Sequence, residues 1–275
     1  MILPVTGAPW EGVSYGCTTR QGGLSEGPWA SLNLGPHTRD DPEAVLENRR
    51  RLAAVLPGEP FWLEQVHGIR VVEAGAARRR GRAGSVGAMP SGRDAGREAA
   101  PTGAPPPRAD AAITLEPGRV LAVMTADCAP VVIADTLGRA LGVAHAGWRG
   151  LAAGVLESTF AALTSRLPPD ATWRAWVGPC IGQARFEVGD EVRQAFVGPD
   201  PVTADCFAPG GVQGKWQADL AALARHRLVT MGIQSVELSG LCTYERADLF
   251  YSYRRSAVTG RMATLAWLDP NAPAA

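Results

Sequence analysis

The chain has 275 residues, 46% of them apolar, which is enough to enclose a sizeable core. Its 27 basic and 27 acidic residues cancel, so the usual electrostatic argument for a nucleic-acid or anionic-membrane partner is missing. No apolar run approaches the roughly 18 residues of a membrane span, and the opening MILPVTGAPWEG has no basic start, so no secretory signal is read. The five cysteines (Cys17, Cys128, Cys180, Cys206, Cys242) are widely spaced and form no CxxC pair. They fit a reducing cytoplasm better than a disulfide framework.

In chain order, SYGCTTRQGG and ASLNLG read as loops that offer Arg20 and Asn33. DDPEAVLENRRRLAAVL reads as a helix capped by Asp41, with Pro42 in its first turn. Val45, Leu52, Leu56 and the stem of Arg49 share one face. FWLEQVHGIRVVEA reads as strand, turn at His67–Gly68, and strand. Residues 75–109 hold seven Gly, five Pro and seven Arg, offset only by Asp94 and Glu98. This segment reads as a flexible surface insertion within a single domain covering 1–275. The other reading is a basic arm for a polyanion.

AAITL, VLAVMTA, PVVIAD and ALGVAHA follow as short strands, and LAAGVLESTFAALTSRL as a helix. ATWRAWVGPCI is a strand entering a turn at Cys180. EVGDEVRQAFV and 216–231 read as helices, the second ended by Gly232. IQSVEL, 249–253 and RMATLAWL supply late strands. The pattern predicts a mixed α/β protein, with antiparallel pairing from at least one hairpin.

A four-residue turn at 136–139 sets that hairpin's register. Asp135 then faces Ala140, Pro130 faces His145, and Cys128 lies two residues beyond the pairing. Strands sit about 4.8 Å apart, so Cys128 and His145 meet at one end. A thiolate beside an imidazole can bind a borderline metal such as zinc, serve as an activated nucleophile, or be plain core. The chain has only two other candidates, His37 in a Gly-Pro loop and His226 in a polar helix, besides His67 at its turn. His67 would complete a His-Cys-His set, whose vacant fourth position is the mark of a catalytic zinc site. Cu2+ is the lesser alternative.

AHAGWRG then enters a helix. Its free N–H groups, Gly147, Gly150 and Arg149 suggest a phosphate or carboxylate site. A tight strand-to-helix turn with Trp148 packed inward explains the same residues. LFYSYRR places Tyr251 and Tyr253 on one strand face with Arg254 and Arg255 at its end. That suits a purine ring plus an anion, or an ordinary strand edge.

Taken together, TTRQGGLSEGPWASLNLG, NRRRLA, WLEQVHG, TADCAPVVIAD, GVAHAGWRG, VGPCIG and LFYSYRR resemble the laccase-domain family. That family is also labelled multicopper polyphenol oxidase, peptidoglycan editing factor and purine nucleoside phosphorylase. The resemblance implies an α/β fold built as a single compact αβα sandwich on a mixed sheet, with an antiparallel hairpin at the site and zinc on His67, Cys128 and His145. It also implies phosphorolysis of adenosine, inosine and methylthioadenosine, and deamination of adenosine. Purine nucleosides and phosphate become the expected partners of a monomer. The chain departs from the pattern at Glu245-Arg246-Ala247, where a histidine-proline pair is common. Oxidase chemistry is not expected, because a trinuclear copper cluster needs many more imidazoles than His37 and His226. In the expected mechanism Asp127 carries a proton. Arg149, with Arg49 or Arg255, holds phosphate beside Gly147, and Asn33 is an available polar contact. The main rival is a hydrolase with Cys128 as nucleophile and His145 as base, cleaving an amide of a cell-wall precursor. A non-catalytic metal-binding protein is the third reading.

Overall fold

The computed structural model describes residues 5–75, 105–233 and 235–271. Most of the Gly/Arg/Pro-rich stretch read at 75–109 therefore lies outside the described residues. At its end Ala109 is fully buried, and Arg108 bridges to Glu64.

The elements run β1 Val13–Cys17, α1 Pro42–Ala53, β2 Val71–Glu73, β3 Ala111–Thr114, β4 Leu121–Thr125, β5 Ala129–Asp135 and β6 Leu141–Ala146. After these come α2 Trp148–Ala153, α3 Val155–Thr164, β7 Trp173–Val177, β8 Glu187–Gly189 and α4 Asp190–Val197. The chain ends with β9 Phe207–Pro209, β10 Lys215–Ala218, α5 Leu220–Thr230, β11 Ser235–Leu238 and β12 Met262–Leu268. Six strands form a mixed sheet in the order β11-β7-β5-β6-β3-β2, parallel at its two outer pairs and antiparallel between. The α/β class, the mixed sheet and the antiparallel hairpin are as the sequence predicts. A second antiparallel sheet, β1-β12-β4, packs on the first.

Strand periodicity explains the layering. On β5, Val131 and Ile133 face α3 and α5, where they meet Val155, Leu163, Leu223 and Leu228. The alternate residues Val132 and Ala134 face the second sheet and meet Val123, Met262 and Ala266. The outer face of that second sheet packs Ala122, Ala263 and Leu265 on Leu52 of α1. The layers thus run helix, sheet, sheet, helix. Both central strands are covered on both faces, so they read as continuous apolar runs without alternation. At Gly142 on β6 a Cβ would come 3.1–3.2 Å from Thr159, Ile113 and Leu163; its absence lets α3 lie close on the sheet.

Several expected elements change form. The helix expected over LAAGVLESTFAALTSRL is cut at Gly154, whose φ of +100° ends α2 and starts α3. The segment 216–231 begins as strand, because Trp216 pairs with both Val188 and Pro209. EVG at 187–189 is the edge of that same small sheet, ahead of α4. LFYSYRR is turn rather than strand, since the Leu249 and Phe250 N–H groups return to the Arg246 carbonyl. Tyr251 is wholly buried while Tyr253 is exposed, so the two share no face.

Candidate metal centre

The β5–β6 register is the predicted one. Pro130 pairs with His145, and the turn closes through Asp135 and Ala140. Cys128 thus reaches the end of the hairpin where His145 sits. His67 arrives from its turn with φ +60°, a left-handed conformation. A single carboxylate holds that turn. Asp110 accepts the backbone N–H of Val66, His67 and Gly68 at 3.2, 2.8 and 2.7 Å. The same carboxylate accepts Nδ1–H of His145 at 2.9 Å, which leaves the His145 Nε2 lone pair for a ligand. The Asp110 carbonyl also accepts the His145 N–H. Asp110 is fully buried. Sequence reasoning missed it, and its signal was a lone acid opening the apolar run DAAITL.

The ligand atoms of His67, Cys128 and His145 all lie within 4.8 Å of one another, with Cys128 Sγ 3.9 Å from His67 Nε2. That spacing suits a tetrahedral ion bound at about 2.0–2.3 Å. The electrostatics fit as well. Burial pushes the Cys128 thiol up, but His145 and His67 outweigh it and bring the thiol down to about 6. Burial pushes His145 down, but Cys128 and Asp110 outweigh it and raise the imidazole to about 9. Without metal the two groups therefore form a thiolate and an imidazolium at neutral pH, and a metal ion bound there would displace the His145 Nε2 proton. Cys17, by contrast, is raised to about 12 by burial. Gly147 completes the site: a Cβ there would stand 2.9 Å from both Cys128 Sγ and His67 Cδ2.

The three ligands sit in a cleft of about 850 Å3, a size suited to a nucleoside-scale ligand. Ile181, Phe186, Leu220 and Tyr253 supply apolar lining, and Arg49, Arg149, Arg254 and Arg261, with His37, supply basic lining.

A 252-residue match, 45% identical and covering 92% of each chain, joins the protein to a Pseudomonas aeruginosa relative named a purine nucleoside phosphorylase. The family model described as multi-copper polyphenol oxidoreductase laccase matches residues 14–269. The chain belongs to that laccase-like family. Another family relative, the Escherichia coli purine nucleoside phosphorylase YfiH, is 42% identical over 98% of both chains. A solved Neisseria meningitidis structure superposes with a TM-score of 0.81 at 41% identity, covering 98% of this chain and 99% of the other.

The other expected site residues fall in different places. Arg49 lines the cleft, stacked 4.0 Å from the Trp62 ring. Arg149 reaches the rim, exposed and stacked on Trp148 at 4.4 Å. Asp127 borders the cleft, but both its oxygens are engaged, one by the Thr243 hydroxyl and one by the Arg254 N–H. That occupation, with φ +104°, makes it a brace between loops. Asn33 lies outside the cleft and is fully buried. Its amide donates to Thr38 and Asp40 and accepts from the Gly35 and Arg261 N–H groups. Arg255 likewise spends its guanidinium on the carbonyls of Thr243, Tyr244 and Phe250. Among the described residues no helix is long and apolar enough to cross a membrane.

Proposed function

We propose that the protein is a zinc-dependent purine nucleoside phosphorylase acting on adenosine, inosine and methylthioadenosine, with adenosine deamination as a second activity. The observation that carries this reading is the convergence of His67, Cys128 and His145 in a cleft lined by both apolar and basic side chains. The names of the close relatives support it. Zinc, when bound, supplies Lewis acidity.

The chain's own residues do the rest. Asp110 fixes the His145 tautomer and the His67 turn. Phe186 and Tyr253 offer faces for a purine. The cleft arginines Arg49 and Arg261 favour a phosphate dianion. As phosphate oxygen bonds to the ribose C1′, the bond from C1′ to the purine nitrogen breaks and the base leaves with a proton. Laccase chemistry is not supported by the residues. Beyond the three ligands the chain has two histidines, and His226 is engaged by Asp200 at 2.6 Å.

The test is phosphate-dependent release of hypoxanthine from inosine, with ammonia release from adenosine read alongside and zinc counted by elemental analysis. Activity should vanish on chelation, return with zinc, and be absent in Cys128→Ala. Turnover that survives chelation would overturn the reading. One observation favours the thiol-hydrolase alternative: the depressed Cys128 thiol beside a His145–Asp110 pair resembles a nucleophilic triad. That reading gives no role to His67, whose Nε2 also faces the sulfur. It predicts turnover that chelators spare and alkylation of Cys128 stops.

A further inference from the structure

Three basic side chains of the cleft come from separate segments: His37 in a loop, Arg49 on α1, and Arg261 immediately before β12. Both guanidiniums lie close enough to act on the imidazole. Burial, then Arg261 and Arg49, hold the His37 imidazole below its ordinary value. Among the described residues neither arginine forms an ion pair with a carboxylate. Arg49 donates to the Leu34 carbonyl and to the Met124 sulfur, and Arg261 to the carbonyls of Thr259 and Gly260. NH1 of Arg49 and Nε and NH2 of Arg261 have no hydrogen-bond partner among the described residues. Of the cleft's carboxylates, Glu64 pairs with Arg108, and Asp127 is hydrogen-bonded by the Thr243 hydroxyl and the Arg254 backbone N–H. Glu59 near Arg49, and Cys128 and Asp127 near Arg261, act on the guanidiniums without bonding them, so two half-buried guanidiniums keep N–H groups free for an anion.

We infer that His37, Arg49 and Arg261 form the oxyanion subsite that holds inorganic phosphate, an inference that rests on the phosphorylase reading above. The two guanidiniums offer forked donors to phosphate oxygens, and the cleft brings that anion to the same chamber as the metal ligands. The strand-to-helix turn that the sequence suggests for this role is less suited. Its helix, α2, is only six residues long, and its cation, Arg149, lies exposed on Trp148.

Isothermal titration of inorganic phosphate into the zinc-loaded protein tests the subsite directly, with sulfate as competitor. Losing one charge-assisted contact should weaken binding about 10- to 100-fold in Arg261→Gln and in Arg49→Gln, with zinc content and melting temperature checked for each. His37→Ala changes an exposed side chain, so its fold is not at risk, and it should weaken binding several-fold. Arg149→Gln should bind as the parent does. In turnover, KM for phosphate should rise in the three variants while KM for inosine holds. Phosphate binding within twofold of the parent in Arg261→Gln, or an equal loss in Arg149→Gln, overturns the subsite. If inosine is still cleaved in that case, the phosphorylase reading stands without it. Conversely, phosphate bound and then lost in the variants, with no nucleoside cleaved, supports the subsite and refutes the activity.

Discussion

Replacing Asp110 by asparagine changes one atom and removes the acceptor that joins the two histidine ligands. The carboxylate takes four N–H donors, from Val66 and Gly68 on one oxygen and from His67 and His145 on the other. An amide has one oxygen and one NH2 group. If the NH2 faces Val66 and Gly68, two buried donors lose their acceptor, at about 1–3 kcal/mol each. If it faces His67 and His145, one backbone donor is lost and His145 must accept at Nδ1. The imidazole proton then moves to Nε2, where a metal would bind. Either orientation damages the site, and we expect a stability loss of at least about 1 kcal/mol and zinc affinity lower by about 10- to 100-fold. Urea unfolding of the metal-free protein measures the first, and competition with a chromophoric chelator the second. The pH dependence has a definite sign. Burial alone would raise the Asp110 carboxyl, but the His145, Gly68 and Val66 hydrogen bonds outweigh it and hold it below the ordinary value. Its stabilising contribution is therefore complete above about pH 4 and is lost as pH falls through the depressed value. Asp110→Asn should remove that acid-sensitive component. A variant as stable as the parent that binds zinc equally well would refute the reasoning.

Gly147→Ala should fold normally, because its φ of −63° and ψ of 154° suit alanine. The new Cβ, however, would stand 2.9 Å from Cys128 Sγ and His67 Cδ2, so zinc affinity should fall at least about tenfold with little change in the melting temperature of the metal-free protein. In metal-free protein at pH 7, iodoacetamide should label Cys128 ahead of Cys17 and Cys206, whose thiols burial raises to about 12 and about 11. Added zinc should protect Cys128, and peptide mapping decides both points. Removing zinc should also lower the melting temperature, because the ion binds only the folded arrangement of its ligands.

The hairpin was legible because a short turn fixes its register locally, and the pairing of Pro130 with His145 needs only counting from 136–139. The α1 cap was legible for the same reason: Asp41 accepts the N–H of Glu43, two residues on in the first turn of the helix. Asp110 was not, since its partners lie 43 and 35 positions away and nothing in a one-residue acid names them. The second sheet escaped because β12 pairs with β1 and β4 from the far end of the chain. Strand propensity gives no partner for such a segment. Arg49 and Arg255 look alike in sequence. Only packing shows one guanidinium stacked at a cleft and the other consumed by three carbonyls.

The left-handed turn at His67 bears on the order in which the site assembles. Cys128 and His145 lie on one hairpin, so short loop closure brings them together early, whereas His67 lies 61 positions from Cys128. A two-donor half-site exists as soon as β5 and β6 pair. The third donor joins only when the Asp110 carboxylate captures the turn's three N–H groups, which makes that capture the latch of the centre.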